Sequence, residues 1–168
     1  MSETLSSVLP REVEQEITRL LHAVCDANLR LATAESCTGG LLASLLTDVQ
    51  GCGHAFDRSF VAYTGAAKRE MLGVSAATLE RYGAVSRAVA IEMAEGALKN
   101  SDADVAFAVT GFAGPGGDCD EEGLVHFACA RKGRDTVHEE AHFGPAGRGQ
   151  VRLECVGRMV TMLREMLK

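Results

Sequence analysis

The stretch RLATAESCTGGLLASLLTDVQ, residues 30–50, decides the fold. Its first part, RLATAES, is short, apolar and compatible with β structure, so it reads as a buried strand. Two glycines, Gly39 and Gly40, come next. After them Leu41, Leu42, Leu45, Leu46 and Val49 recur at helical spacing. A strand that turns through glycines into an amphipathic helix is the repeating unit of layered α/β proteins.

The flanking sequence extends the pattern. Upstream, Val13, Ile17, Leu20, Leu21 and Val24 form one apolar face of a first helix, with Pro10 expected in its first turn. Downstream, residues 51–57 read as a loop and RSFVAYT as a second strand. GAAKREMLG and SAATLERYG read as short helices stopped by Gly73 and Gly83, with Ser75 expected to cap the second. SRAVAIEMAEGALKN is a longer helix capped by Ser86, and ADVAFAVTG a strand. FAGPGGDCDEEG is a loop, LVHFACARK and DTVHEEAHF an antiparallel pair, and GPAGRGQVRLECVGRMVTMLREML the closing helix. The expected architecture is α/β, a three-layer α/β/α sandwich with a mixed, mostly parallel sheet. One domain is expected over residues 10–168, after a leader over 1–9.

Composition narrows the function classes. The 168 residues are 46% apolar and 24% charged, with a net charge of −6. Aromatics make up 5% and tryptophan is missing, so neither a basic field nor a stacking platform points to nucleic acid. MSETLSSVLPREVEQ lacks the apolar core of a signal peptide, and no apolar run approaches transmembrane length. Six cysteines occur without a CxxC pair, so a reduced, cytoplasmic protein away from membranes is expected. No cofactor and no metal are expected. The five histidines are scattered along the chain, and the acids at 118–122 lack the ordered spacing of a calcium loop.

Three loops leave the C-terminal ends of expected strands, where open α/β sheets place their ligands. AESCTGG offers Ser36, Thr38 and Gly39 at a helix start. That arrangement suits an anion, or equally a capped helix whose glycines allow close packing. VTGFAGPGG offers Thr110, Gly111 and Gly114 as backbone wall or as plain surface loop. In AYTGAAK, Tyr63 and Lys68 could converge across a strand-to-helix turn, a desolvated lysine serving as base and the phenol relaying protons. The alternative is a strand tyrosine and a solvated helix lysine.

Taken together, TAESCTGG, FVAYTGAAK, LGVSAATLERYGAVS, AVTGFAGPGG, GLVHFA and GRGQVR resemble the CinA C-terminal domain family over about residues 10–166. The resemblance implies conversion of nicotinamide mononucleotide and water into nicotinic acid mononucleotide and ammonia. A serine would attack the carboxamide, activated by a lysine and a tyrosine matching Lys68 and Tyr63. Ser36, Thr38, Gly39, Thr110, Gly111 and Gly114 match the pocket, and Arg148 and Arg152 match basic residues suited to the phosphate. The expected assembly is a homo-oligomer.

Two departures stand out. Gly51-Cys52-Gly53 occupies the place of a Gly-Ser-Ser stretch, so Gly53 falls where the resemblance puts the nucleophile. Cys52 and Ser36 are the candidate substitutes, with His54 a further candidate base. DCDEEGLV lacks a Lys-Pro pair and is about two residues shorter than the family pattern. Three readings follow: a deamidase with a substitute nucleophile, an inactive relative that binds a pyridine nucleotide as sensor or regulator, and a structural domain.

Overall fold

The computed structural model describes residues 9–168. The expected leader therefore lies, apart from Leu9, outside the described residues. The elements run α1 (Arg11–Asp26), β1 (Leu31–Glu35), α2 (Leu41–Leu46), a 3-10 turn (Gly53–Ala55) and β2 (Phe56–Val61). They continue with α3 (Gly65–Leu72), α4 (Ala76–Tyr82), α5 (Arg87–Lys99), β3 (Val105–Gly111), β4 (Leu124–Arg131), β5 (Val137–His142) and α6 (Arg148–Leu167).

The five strands form one sheet in the order β2-β1-β3-β4-β5. β1 pairs in parallel with β2 and β3, while β4 pairs antiparallel with both β3 and β5. Only β4 therefore runs against the others, which makes the sheet mixed and mostly parallel. Strand alternation divides the core. Leu31, Val105, Phe107, Val109, Val125, Phe127 and Cys129 face a cluster built with α1, α2 and α6. On the other face Ala32, Ala34, Ala106, Ala108, Ala128 and Ala130 meet α3 and α5. Alanines there allow close approach, and at Gly96 of α5 an added Cβ would lie 1.9 Å from the Leu72 carbonyl oxygen of α3.

Local chemistry explains where the elements end. Gly73 closes α3 with φ 69°, a left-handed conformation that glycine adopts without strain. Ser86 caps α5, its Oγ accepting from the Val89 amide at 3.3 Å. Ser75 holds the N-cap position of α4 without a side-chain cap bond. Glu92 of α5 takes over, accepting from the Ser75 amide at 2.7 Å and the Thr78 hydroxyl at 2.6 Å. Pro10 stands one residue outside the expected first turn, at the N-cap of α1. β2 begins earlier than RSFVAYT suggests because the 3-10 turn delivers Phe56 directly to the sheet. It ends at Val61, since Thr64 is drawn off as the cap of α3, accepting from the Ala67 amide at 3.1 Å. Among the described residues no helix is long and apolar enough to cross a membrane.

Candidate active site

Parallel pairing brings together residues that lie 32 positions apart. Glu35 stands opposite Val61 in the β1–β2 register and opposite Val109 in the β1–β3 register. The next residue, Ser36, is held by its amide, which donates to the Val109 carbonyl at 3.1 Å. From α3, Lys68 reaches back under the same strand ends, and its Nζ lies 2.9 Å from Ser36 Oγ. The amine also donates to the carbonyls of Ala62 at 3.0 Å and Tyr63 at 3.2 Å.

Lys68 is 1% exposed, and burial pulls its amine from 10.5 down to about 8, against the opposing pull of the nearby Cys37 thiol. A neutral amine carries two N–H bonds and one lone pair. Ala62 and Tyr63 accept the two N–H bonds, which leaves the lone pair facing the Ser36 hydroxyl. That is the geometry of a general base.

The other expected residues divide into those at this centre and those away from it. Tyr63 contributes its backbone carbonyl to Lys68, while the residue is 69% exposed. Arg152 of α6 donates from Nε to the Cys37 carbonyl at 2.9 Å, beside Gly39. Arg148, one turn earlier, lies against Gly114, where an added Cβ would come 2.8 Å from its guanidinium. The start of α6 thus spans the two glycine loops.

Thr38 and Thr110 are buried and turned to structural partners. Thr38 Oγ1 donates to Glu35 Oε2 at 2.7 Å, and Thr110 Oγ1 to the Ala84 carbonyl at 2.8 Å. Gly111 is required by packing, since a Cβ there would meet Val125 and the Leu124 carbonyl at 2.7–2.8 Å.

Gly53 and Cys52 are not brought to Lys68 within the chain. They precede β2, beside the start of β1, whereas Ser36 and Lys68 follow the far ends of the same strands. Six strand residues at ~3.3 Å each separate the two ends by ~15–20 Å. Cys52 is 4% exposed in the apolar cluster shared with α1. There it accompanies Cys25, whose thiol is raised to about 11 by burial and by Cys52. His54 is exposed on the same turn. All six cysteines are free.

Two features are not legible in the sequence. Glu35, fully buried, underlies the Ser36 turn. His126, His138 and His142, scattered in sequence, line up with Glu140 across β4 and β5 and with Glu121 of the loop before β4. His126 and His138 ring nitrogens are 3.1 Å apart, and His142 meets both glutamates. Strand pairing, invisible in the sequence spacing, assembles them. Among the described residues no group of three such side chains is disposed to hold a metal ion.

The sequence profile of the CinA C-terminal domain matches residues 12–167. The chain belongs to the CinA C-terminal domain family. This CinA domain is 49% identical over 138 residues to a nicotinamide-nucleotide amidohydrolase PncC from Enterobacter agglomerans, covering 80% of the chain and 84% of that relative. It is 47% identical over 141 residues, 83% of the chain, to a competence-damage inducible protein from Acetivibrio thermocellus. That relative is longer, and the CinA domain spans 33% of it. The crystal structure of competence/damage inducible protein CihA from Agrobacterium tumefaciens superposes over 100% of both chains, with a TM-score of 0.92 and 42% identity.

Proposed function

We propose that this chain is a nicotinamide-nucleotide amidohydrolase of serine–lysine type, with Ser36 as nucleophile and Lys68 as general base. The observation that carries the reading is the 2.9 Å contact between a buried, low-pKa amine and the Ser36 hydroxyl. The name of the Enterobacter agglomerans relative supplies the substrate class. In this scheme Lys68 Nζ takes the Ser36 proton as Oγ attacks the carboxamide carbon. Backbone N–H groups of the turn that follows Ser36 suit the resulting oxyanion. Lys68 returns the proton to the departing nitrogen, which leaves as ammonia. Water, activated by the same amine, then hydrolyses the ester on Ser36 and releases nicotinic acid mononucleotide. Arg148 and Arg152 suit the phosphate, and the exposed Tyr63 ring suits the face of the pyridine.

This reading differs from the one drawn from the Gly-Ser-Ser alignment, in which Gly53 marks a lost nucleophile. A second reading, a nucleotide-binding domain without turnover, is favoured by the single observation that Gly53 lacks a side chain.

Ammonia release from nicotinamide mononucleotide distinguishes them. The unaltered chain turns over, Ser36→Ala loses at least ~10³-fold, and Gly53→Ser, whose added Cβ meets nothing within 4 Å, leaves the rate within about twofold. An inert natural chain that Gly53→Ser switches on refutes the serine–lysine assignment and leaves the binding reading.

A further inference from the structure

We infer that Glu35 is a positioning residue for Ser36; the inference rests on the serine–lysine reading above. Glu35 is the last residue of β1 and precedes the nucleophile, so the two side chains leave the strand on opposite faces. Its carboxylate is 0% exposed, and its hydrogen-bond partners are hydroxyls and backbone amides. Oε2 accepts from Thr38 Oγ1 at 2.7 Å and from the amides of Gly40 and Leu42 at 3.1 Å each. Oε1 accepts from the Ala43 amide at 2.8 Å and lies 3.3 Å from Thr33 Oγ1 and 3.5 Å from Ser59 Oγ of β2.

One buried side chain therefore ties residues 38–43 to the central strands. The turn needs such a tie. Gly39 and Gly40 are both left-handed, with φ of 63° and 96°, and the helix that follows has only six residues. Such a segment has little stiffness of its own. Ser36 Oγ must nevertheless stay aligned with the Lys68 lone pair, and a misplacement of about 1 Å costs ~10²-fold in rate. The carboxylate holds the turn from beneath, while Lys68 meets the hydroxyl from above.

Glu35→Gln and Thr38→Val in the full chain test this. Gln presents an NH₂ group where an oxygen accepted, and Val removes one bond of the clamp at nearly constant volume. The readouts are the melting curve, kcat and KM for nicotinamide mononucleotide, the pH midpoint of the rate, and the labelling rate of Ser36 by a fluorophosphonate probe. In folded Glu35→Gln, kcat and labelling fall together by ~10²-fold, KM stays within about twofold, and the pH midpoint does not move. Thr38→Val falls by several-fold in the same pattern, and it decides the matter if Glu35→Gln does not fold.

Folded variants with unchanged kcat and labelling overturn the inference, as does a loss that only follows the unfolded fraction. A natural chain that is labelled at Ser36 yet does not hydrolyse the nucleotide refutes the substrate while leaving Glu35 tested by labelling. A natural chain inert to both refutes the serine–lysine reading, and the role of Glu35 falls with it.

Discussion

In the proposed mechanism the Lys68 amine must be neutral to take a proton, so the rate of the proposed amide hydrolysis reports its titration. Burial lowers it to about 8 from an ordinary 10.5. At pH 7 about 9% of such an amine is neutral, against about 0.03% for an unperturbed lysine, an enrichment of roughly 300-fold. Between pH 7 and pH 9 the neutral fraction climbs to about 91%, a further tenfold. The expected kcat/KM for nicotinamide mononucleotide therefore rises about tenfold per unit below pH 8 and levels off above it. Ammonia release followed from pH 6 to pH 10 at constant ionic strength measures this directly. A flat profile, or a midpoint above pH 10, refutes the assignment of Lys68 as the base.

The same shift has a stability counterpart of known sign. Between pH 8 and pH 10.5 the unfolded chain binds the proton that the folded chain has released, so stability rises with pH through that window. The gain is on the order of 3 kcal/mol, and Lys68→Met removes both this dependence and the proposed activity.

Three further outcomes follow from the geometry. Cys52→Ala, which trims a small core side chain far from Ser36, lowers stability by ~1–2 kcal/mol in denaturant melts and leaves ammonia release unchanged. Gly96→Ala forces a methyl onto the Leu72 carbonyl and lowers stability by ~1–3 kcal/mol or more; because α3 carries Lys68, kcat falls as well. Arg148→Ala, which breaks no hydrogen bond to the Ser36 turn, raises KM for the mononucleotide by about tenfold or more, and the uncharged nucleoside does not feel the change.

Much of the architecture is legible in the sequence because its signals are local. Gly73 and Gly83 stop helices, Ser86 caps one, and the apolar face of α1 repeats every third or fourth residue. Lys68 and Ser36 are legible as residue types at loop ends, but their partnership is not. It arises from the β1–β2 register, which sets Glu35 against Val61 and so delivers Ser36 to the carbonyls that also hold Lys68. Gly53 is kept from Lys68 within the chain for the converse reason. It lies 15 positions before Lys68, but β2 occupies much of that interval and carries the chain to the other end of the sheet. Glu35 is overlooked because an acid ending an apolar strand resembles an ordinary rim charge. Only the fold shows that four bonds from residues 38–43 converge on it.

The two sides of the sheet have different room for change. Where Leu, Met and Phe fill the space against α1, α2 and α6, one side chain can grow as another shrinks, and sequence can drift. Against α3 and α5 the strands present alanines, and a glycine meets a carbonyl. Those strand alanines can shrink only to glycine, and growth there prises the helices from the sheet. The seam between these strands and the helix that carries the lysine is thus constrained by sheer lack of volume, a constraint that needs no contact with a ligand.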